Sequence, residues 1–90
     1  MSSIDSTAQQ LAELYSKSFG GKPSGRYRVP AKIVRGLMGR RRLYAEDVQA
    51  LTRALLEEGF VLVDMDTFFV VLSANTFVNY RRVSQDAVTE

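Results

Sequence analysis

The chain has 90 residues, 46% of them apolar, with 12 Lys and Arg against 10 Asp and Glu for a formal charge of +2; that allows one domain with a small core. It has no cysteine and no histidine, which excludes disulfide staples and thiolate metal sites and removes the commonest general base and metal ligand. The longest apolar runs, residues 60 to 63 and 68 to 72, are too short to span a bilayer, and the N-terminus lacks a basic stretch followed by an apolar one, so a cytoplasmic protein with no membrane partner is expected.

Residues 1 to 4 read as a flexible start, with Ser3 or Asp5 as a helix cap. Ile4, Ala8, Leu11, Ala12, Tyr15 and Phe19 share one helical face, which predicts a structural helix over 5 to 18 with both aromatics in the core. Residues 20 to 25, GGKPSG, have the composition of a mobile loop and lack the GxxxxGK[ST] pattern that cradles phosphates. Arg26 to Val29 alternates basic and apolar, predicting a short strand with Tyr27 and Val29 inward and Arg26 and Arg28 outward.

Pro30 suits the first turn of a second helix over 30 to 38, with an apolar stripe of Ile33, Val34, Leu37 and Met38 and a stop near Gly39. Lys32, Arg35 and Gly36 lie off that stripe. Arg40, Arg41 and Arg42 follow in a turn. Such cations can neutralise the carbonyls at a helix end, but with Arg28 and Arg35 nearby their mutual repulsion points to a polyanion. Between Lys22 and Arg42 stand eight of the twelve basic residues and no acid; elsewhere four basic residues face all ten acids.

A third helix is predicted over 44 to 58. Leu43, Val48, Leu51, Leu55 and Leu56 form its apolar face, Glu46 and Asp47 sit in its positive first turn, and Gly59 stops it. Tyr44, Ala45, Gln49, Thr52 and Arg53 lie opposite; Gln49 and Arg53 can make bidentate contacts to adenine and guanine edges. Residues 60 to 64 and 67 to 72 read as a β-hairpin turning at Met65 and Asp66. Its second strand is apolar on both faces, Phe68, Val70 and Leu72 on one and Phe69 and Val71 on the other. Helix 1, the C-terminal segment or a second copy must therefore cover one face, which makes Phe68, Phe69 and Val71 candidates for a homodimer or partner interface. Residues 73 to 83 predict a short helix capped by Ser73, closing one domain over 5 to 83, and 84 to 90 a loose tail.

The order helix, short strand, helix, turn, helix, hairpin, in an α+β chain, is similar to the winged helix-turn-helix domain of small bacterial and phage DNA-binding regulators. The resemblance covers about residues 5 to 72 and rests on element order and charge placement. It implies double-stranded DNA as partner and no cofactor, metal or small-molecule substrate. Helix 3 would read bases through Tyr44, Ala45, Gln49 and Arg53; Arg26, Arg28, Lys32, Arg35, Arg40, Arg41 and Arg42 would hold phosphates; the hairpin would be the wing. In two respects the chain departs from that family: the turn from Gly39 to Leu43 is longer, and the hairpin tip carries Asp64 and Asp66 where Arg or Lys is common.

A DNA-binding regulator of transcription, dimeric through the hairpin or the C-terminal segment, is thus the first expectation. The alternatives are a protein-docking adaptor that uses the apolar hairpin and an RNA-binding module in which Tyr27, Tyr44 and Tyr80 stack bases. An enzyme is not expected, because each carboxylate pair (Glu46 with Asp47, Glu57 with Glu58, Asp64 with Asp66) has an ordinary place at a helix start, helix surface or turn.

Overall fold

The computed structural model describes residues 3 to 89; of the expected loose ends, 1 to 4 and 84 to 90, residues 1, 2 and 90 lie outside them, while Ser3 and Ile4 belong to the first helix. The chain is α+β, in the order α1 (Ser3–Leu14), β1 (Tyr27–Pro30), α2 (Ala31–Met38), α3 (Ala45–Glu57), β2 (Phe60–Asp64), β3 (Phe68–Ser73), a 3₁₀ helix (Ala74–Phe77) and α4 (Gln85–Val88). No helix among the described residues is long and apolar enough to cross a membrane.

Helix α1 stops four residues short of its expected end. The N–H groups of Tyr15, Ser16 and Lys17 donate to Ala12, Glu13 and Leu14, three residues back, which tightens the chain out of α-helical spacing. Gly20 and Gly21, at φ 59° and 81°, then let the chain reverse so that Phe19 and Lys22 exchange two 3.0 Å backbone hydrogen bonds, and the Gly25 N–H donates to the Tyr15 carbonyl at 2.9 Å. The glycine-rich segment is therefore a bonded turn and not a loose connector. Because Phe19 leaves the helix it also leaves the core: it is 43% exposed and packs edge-on against Tyr27, 5.5 Å between centroids. Tyr15 stays half-buried and meets Phe60 at 5.0 Å.

Pro30 is extended (φ −60°, ψ 144°) and caps α2 as its first residue outside the helix. At the other end Gly39 adopts φ 67°, and the Arg40 N–H reaches back to the Arg35 carbonyl at 2.9 Å, a left-handed stop that only glycine or asparagine takes cheaply. On the expected stripe Val34 and Met38 are buried, while Ile33 is half in solvent. On α3, Leu51 and Leu55 are buried but Leu56 is 56% exposed. Both corrections have one cause: the buried face of each helix is narrower than the run of apolar residues along it.

The three strands form an antiparallel sheet ordered β1-β3-β2. Tyr27 pairs with Val71 and Val29 with Phe69 on one side of β3; Leu62 pairs with Val71 and Asp64 with Phe69 on the other. Because side chains alternate along a strand, Tyr27, Val29, Leu62, Phe69 and Val71 face one way and Arg28, Val61, Val63, Phe68, Val70 and Leu72 the other. The first set joins Ala8 and Leu11 of α1, Val34 and Met38 of α2, and Leu51 and Leu55 of α3 in the core. Phe69 and Val71, named above as interface candidates, are 2% and 0% exposed and so pack under the helices; of the three only Phe68 is reachable.

The expected helix over 73 to 83 is one 3₁₀ turn, with the Ser73 hydroxyl accepting the Asn75 N–H at 3.2 Å. The tail contains the short α4, closed by the Thr89 hydroxyl donating to the Gln85 carbonyl at 2.7 Å.

Candidate nucleic-acid interface

The eight basic residues from Lys22 to Arg42 do not make one patch. Arg35, Arg41 and Arg42 surround a hollow of about 330 Å³ where the end of α2 and the α2–α3 turn meet the hairpin turn, with Leu43, Val48 and Phe69 beneath them and Asp64 and Asp66 across from them. The hairpin turn is held by its own backbone: Met65 N–H to the Phe68 carbonyl at 2.9 Å and Asp66 N–H to Asp64 Oδ1 at 2.8 Å, with Asp66 at φ 73°. Neither aspartate comes within 4.0 Å of an arginine nitrogen among the described residues. The acids lower the local positive potential without consuming any one cation.

Arg40 points elsewhere. Its guanidinium lies 3.3 Å from Asp47 Oδ1, and the Asp47 side chain is 8% exposed. Asp47 Oδ2 accepts the Tyr44 N–H at 3.0 Å while the Asp47 N–H donates to the Tyr44 carbonyl at 2.9 Å. Asp47 is thus the third-position acid that closes the start of a helix, and Arg40 neutralises it. Arg40 belongs to the structure of the corner first; its cationic charge is already matched. Lys32 stands exposed on α2 in neither hollow.

Arg26 and Arg28 instead line a larger hollow of about 530 Å³ with Lys17, Lys22, Ser24, Phe19 and Tyr27. Among the described residues no carboxylate lines it. Arg28 is also 5.9 Å from the centre of the Phe68 ring on the outer side of the sheet. The Tyr27 hydroxyl, at the rear of this hollow, donates to the Leu11 carbonyl at 2.6 Å, and burial pushes it well above the ordinary phenol pKa. Sequence reasoning missed Lys17, because it assigned residue 17 to a helix; the paired glycines at 20 and 21, which double the chain back, were the signal available.

Of the four candidate base-reading residues, Tyr44 and Ala45 lie exposed at the N-terminal end of α3, beside the arginine corner. Gln49 and Arg53 are exposed one and two turns further on. They line a groove shared with Ile4 and Asp5 of α1 and with Glu46 and Glu57, so Arg53 stands among three carboxylates. The outer length of α3 is accordingly acidic, and the basic residues of the corner precede its first turn. Thr52 takes no part, since its hydroxyl donates to the Val48 carbonyl at 2.7 Å. In comparison with known proteins, the chain matches no protein-family model, no curated protein and no solved structure.

Proposed function

We propose that the chain is a DNA-binding protein of the winged-helix kind, a regulator that meets the duplex end-on at the α2–α3 corner. The observation that carries this reading is the placement of Arg41 and Arg42: exposed, without an ion-pair partner among the described residues, and next to the N-terminus of a 13-residue helix. That helix end adds its own partial positive charge and unbonded N–H groups to the arginines. The order of elements and the β1-β3-β2 pairing agree with the winged-helix resemblance.

In this mechanism Arg35, Arg41, Arg42 and Lys32 hold phosphates and displace counterions, which supplies affinity without sequence information. Specificity comes from the start of α3, through Tyr44 and Ala45. Gln49 and Arg53 contribute less, because Asp5, Glu46 and Glu57 border the groove that both line and would repel a backbone brought close. A protein-docking adaptor is the competing reading, favoured by the apolar outer side of the sheet.

The two part on one measurement: binding of the purified protein to random duplex DNA over a salt series. Four phosphate contacts predict a log–log slope of roughly −4, and Arg41→Glu with Arg42→Glu should reduce it in size by about 2. Absence of binding at low salt, or a flat salt response, rejects the DNA reading. Arg40 is left intact in the variant because its loss would disturb Asp47 and the start of α3.

A further inference from the structure

Among the described residues no core helix packs on the outer side of the sheet, where the Arg28 guanidinium stands over the Phe68 ring. Val61, Val63, Phe68, Val70 and Leu72 all point to that side and all are half-buried by their neighbours in the sheet, yet none belongs to the core beneath. A sheet face of five apolar side chains resembles the inside of a protein more than its surface. The segment after β3 has the complementary defect. Every residue from 75 to 89 is exposed, including Phe77, Val78, Tyr80, Val83 and Val88, of which the last four keep 64% or more of their surface in solvent.

The segment also stretches the molecule. The radius of gyration is 15.1 Å and the extents are 49 × 32 × 25 Å, where a 90-residue globule would have a radius of gyration of about 12 Å. An arm of this kind gains little from standing in water with its two aromatic rings packed edge-on against each other, as Phe77 and Tyr80 are at 5.2 Å.

We propose that the protein is a homodimer formed by reciprocal arm exchange: residues 74 to 89 of each copy lie across the outer sheet face of the other. One two-fold operation satisfies both uncovered surfaces in both copies. The area suffices. With roughly 150–250 Å² per aromatic side chain, two aromatics and three valines leave on the order of 500 Å² uncovered per arm. Two arms and the faces beneath them then fall within the roughly 1,200–2,000 Å² of a standard stable interface.

The test is sedimentation equilibrium on the full chain and on Phe77→Ser, Tyr80→Asp and Val70→Asp, without DNA. The wild type should be dimeric, and each substitution should weaken the dimer by more than about tenfold. Phe77 and Tyr80 lie outside the core, so their variants should still fold and melt cooperatively, below the wild type only by what association contributes, and the result does not hinge on Val70→Asp folding well. Mixing the Tyr80→Asp and Val70→Asp chains should then restore association, since the heterodimer keeps one intact arm on one intact face. A wild type that stays monomeric, or a dimer indifferent to both arm substitutions, overturns the proposal. If both single variants fold, a mixture that remains monomeric also overturns it, pointing to arm-to-arm or face-to-face contact instead. None of these outcomes depends on whether the corner binds DNA.

Discussion

The arginine corner and the hollow behind β1 draw on the same basic stretch of sequence, and they are physically different surfaces. The corner is built on helix ends: Gly39 closes α2, Asp47 and Arg40 lock the start of α3, and Arg41 and Arg42 project from between two fixed points. Two aspartates of the hairpin turn face it. The hollow is built on a reversing loop with glycines at positive φ, and its Lys17, Lys22, Arg26 and Arg28 share it with no acid among the described residues. Charge density alone would favour the hollow as the polyanion site; preorganisation and the adjacent helix N-terminus favour the corner. A run of like charge in a sequence thus says that a polyanion is expected, but the fold decides which part of the run can hold it in register.

Paired charge reversals set the two surfaces against each other. Arg41→Glu with Arg42→Glu should lower duplex affinity by about 100-fold at low salt, and Lys22→Glu with Arg26→Glu by about tenfold, the latter through long-range attraction and flanking phosphates. Fluorescence anisotropy with a labelled random duplex measures both. Equal losses would mean that the two surfaces act as one track, and a larger loss at the hollow would invert the assignment.

The corner's rigidity is itself testable. Asp47→Ala removes the acceptor for the Tyr44 N–H and leaves Arg40 without its partner, which should cost about 2 kcal/mol of stability by urea unfolding. Arg40→Ala should cost less, about 1 kcal/mol, because that guanidinium is 44% exposed and screened. If both variants unfold like the wild type, the corner is not held by this pair, and the contrast in rigidity between the two surfaces fails.

Much of this was legible beforehand. The hairpin and α3 stand within a residue or so of where Gly59, the acidic turn and the apolar spacing put them, because those signals are local. The departures come from contacts across the chain. Phe19 looked like core only while residue 19 was counted on a helix, and the bonds that end α1 join it to Lys22 and Gly25. Asp47 was legible as a helix-start acid, but nothing at one position announces that the arginine seven residues before it will pair with it. Phe69 and Val71 could not be told from Phe68 by composition, since both faces of β3 are apolar; the pairing with β1, some forty residues earlier, decides which face meets the helices. The division of the basic run into two surfaces was illegible for the same reason, as β1 and α2 carry the chain from one to the other.

The aspartates of the hairpin turn give a smaller effect of opposite sign. Asp64→Asn with Asp66→Asn keeps a side-chain oxygen for the Asp66 N–H and a residue type that tolerates φ 73°. The turn should therefore survive while two negative charges leave the corner. Duplex affinity should rise by about fivefold at low salt, with the gain fading as salt increases. An unchanged affinity would place the DNA away from the hairpin turn and weaken the corner against the hollow.

Tyr27→Phe separates the support of the hollow from its charge. The variant keeps the ring against Phe19 and all four cations, so DNA affinity should not change, but it loses the 2.6 Å bond to the Leu11 carbonyl. At neutral pH that should cost about 1–1.5 kcal/mol, because the Leu11 carbonyl is left without this donor. The pH dependence carries a sharper sign. Burial raises the Tyr27 hydroxyl in the fold, whereas in the unfolded chain it ionises near its ordinary value of about 10. Below pH 10 the phenol is neutral in both states and the bond contributes in full. Above pH 10 only the unfolded chain gives up the proton, so the wild type loses up to about 1.4 kcal/mol per pH unit through this group, and the loss continues until the folded value is reached. The phenylalanine variant has no such loss. Its stability curve should lie below that of the wild type at pH 7 and cross above it near pH 11; parallel curves would mean that Tyr27 ionises freely in the fold and does not fasten β1 to α1.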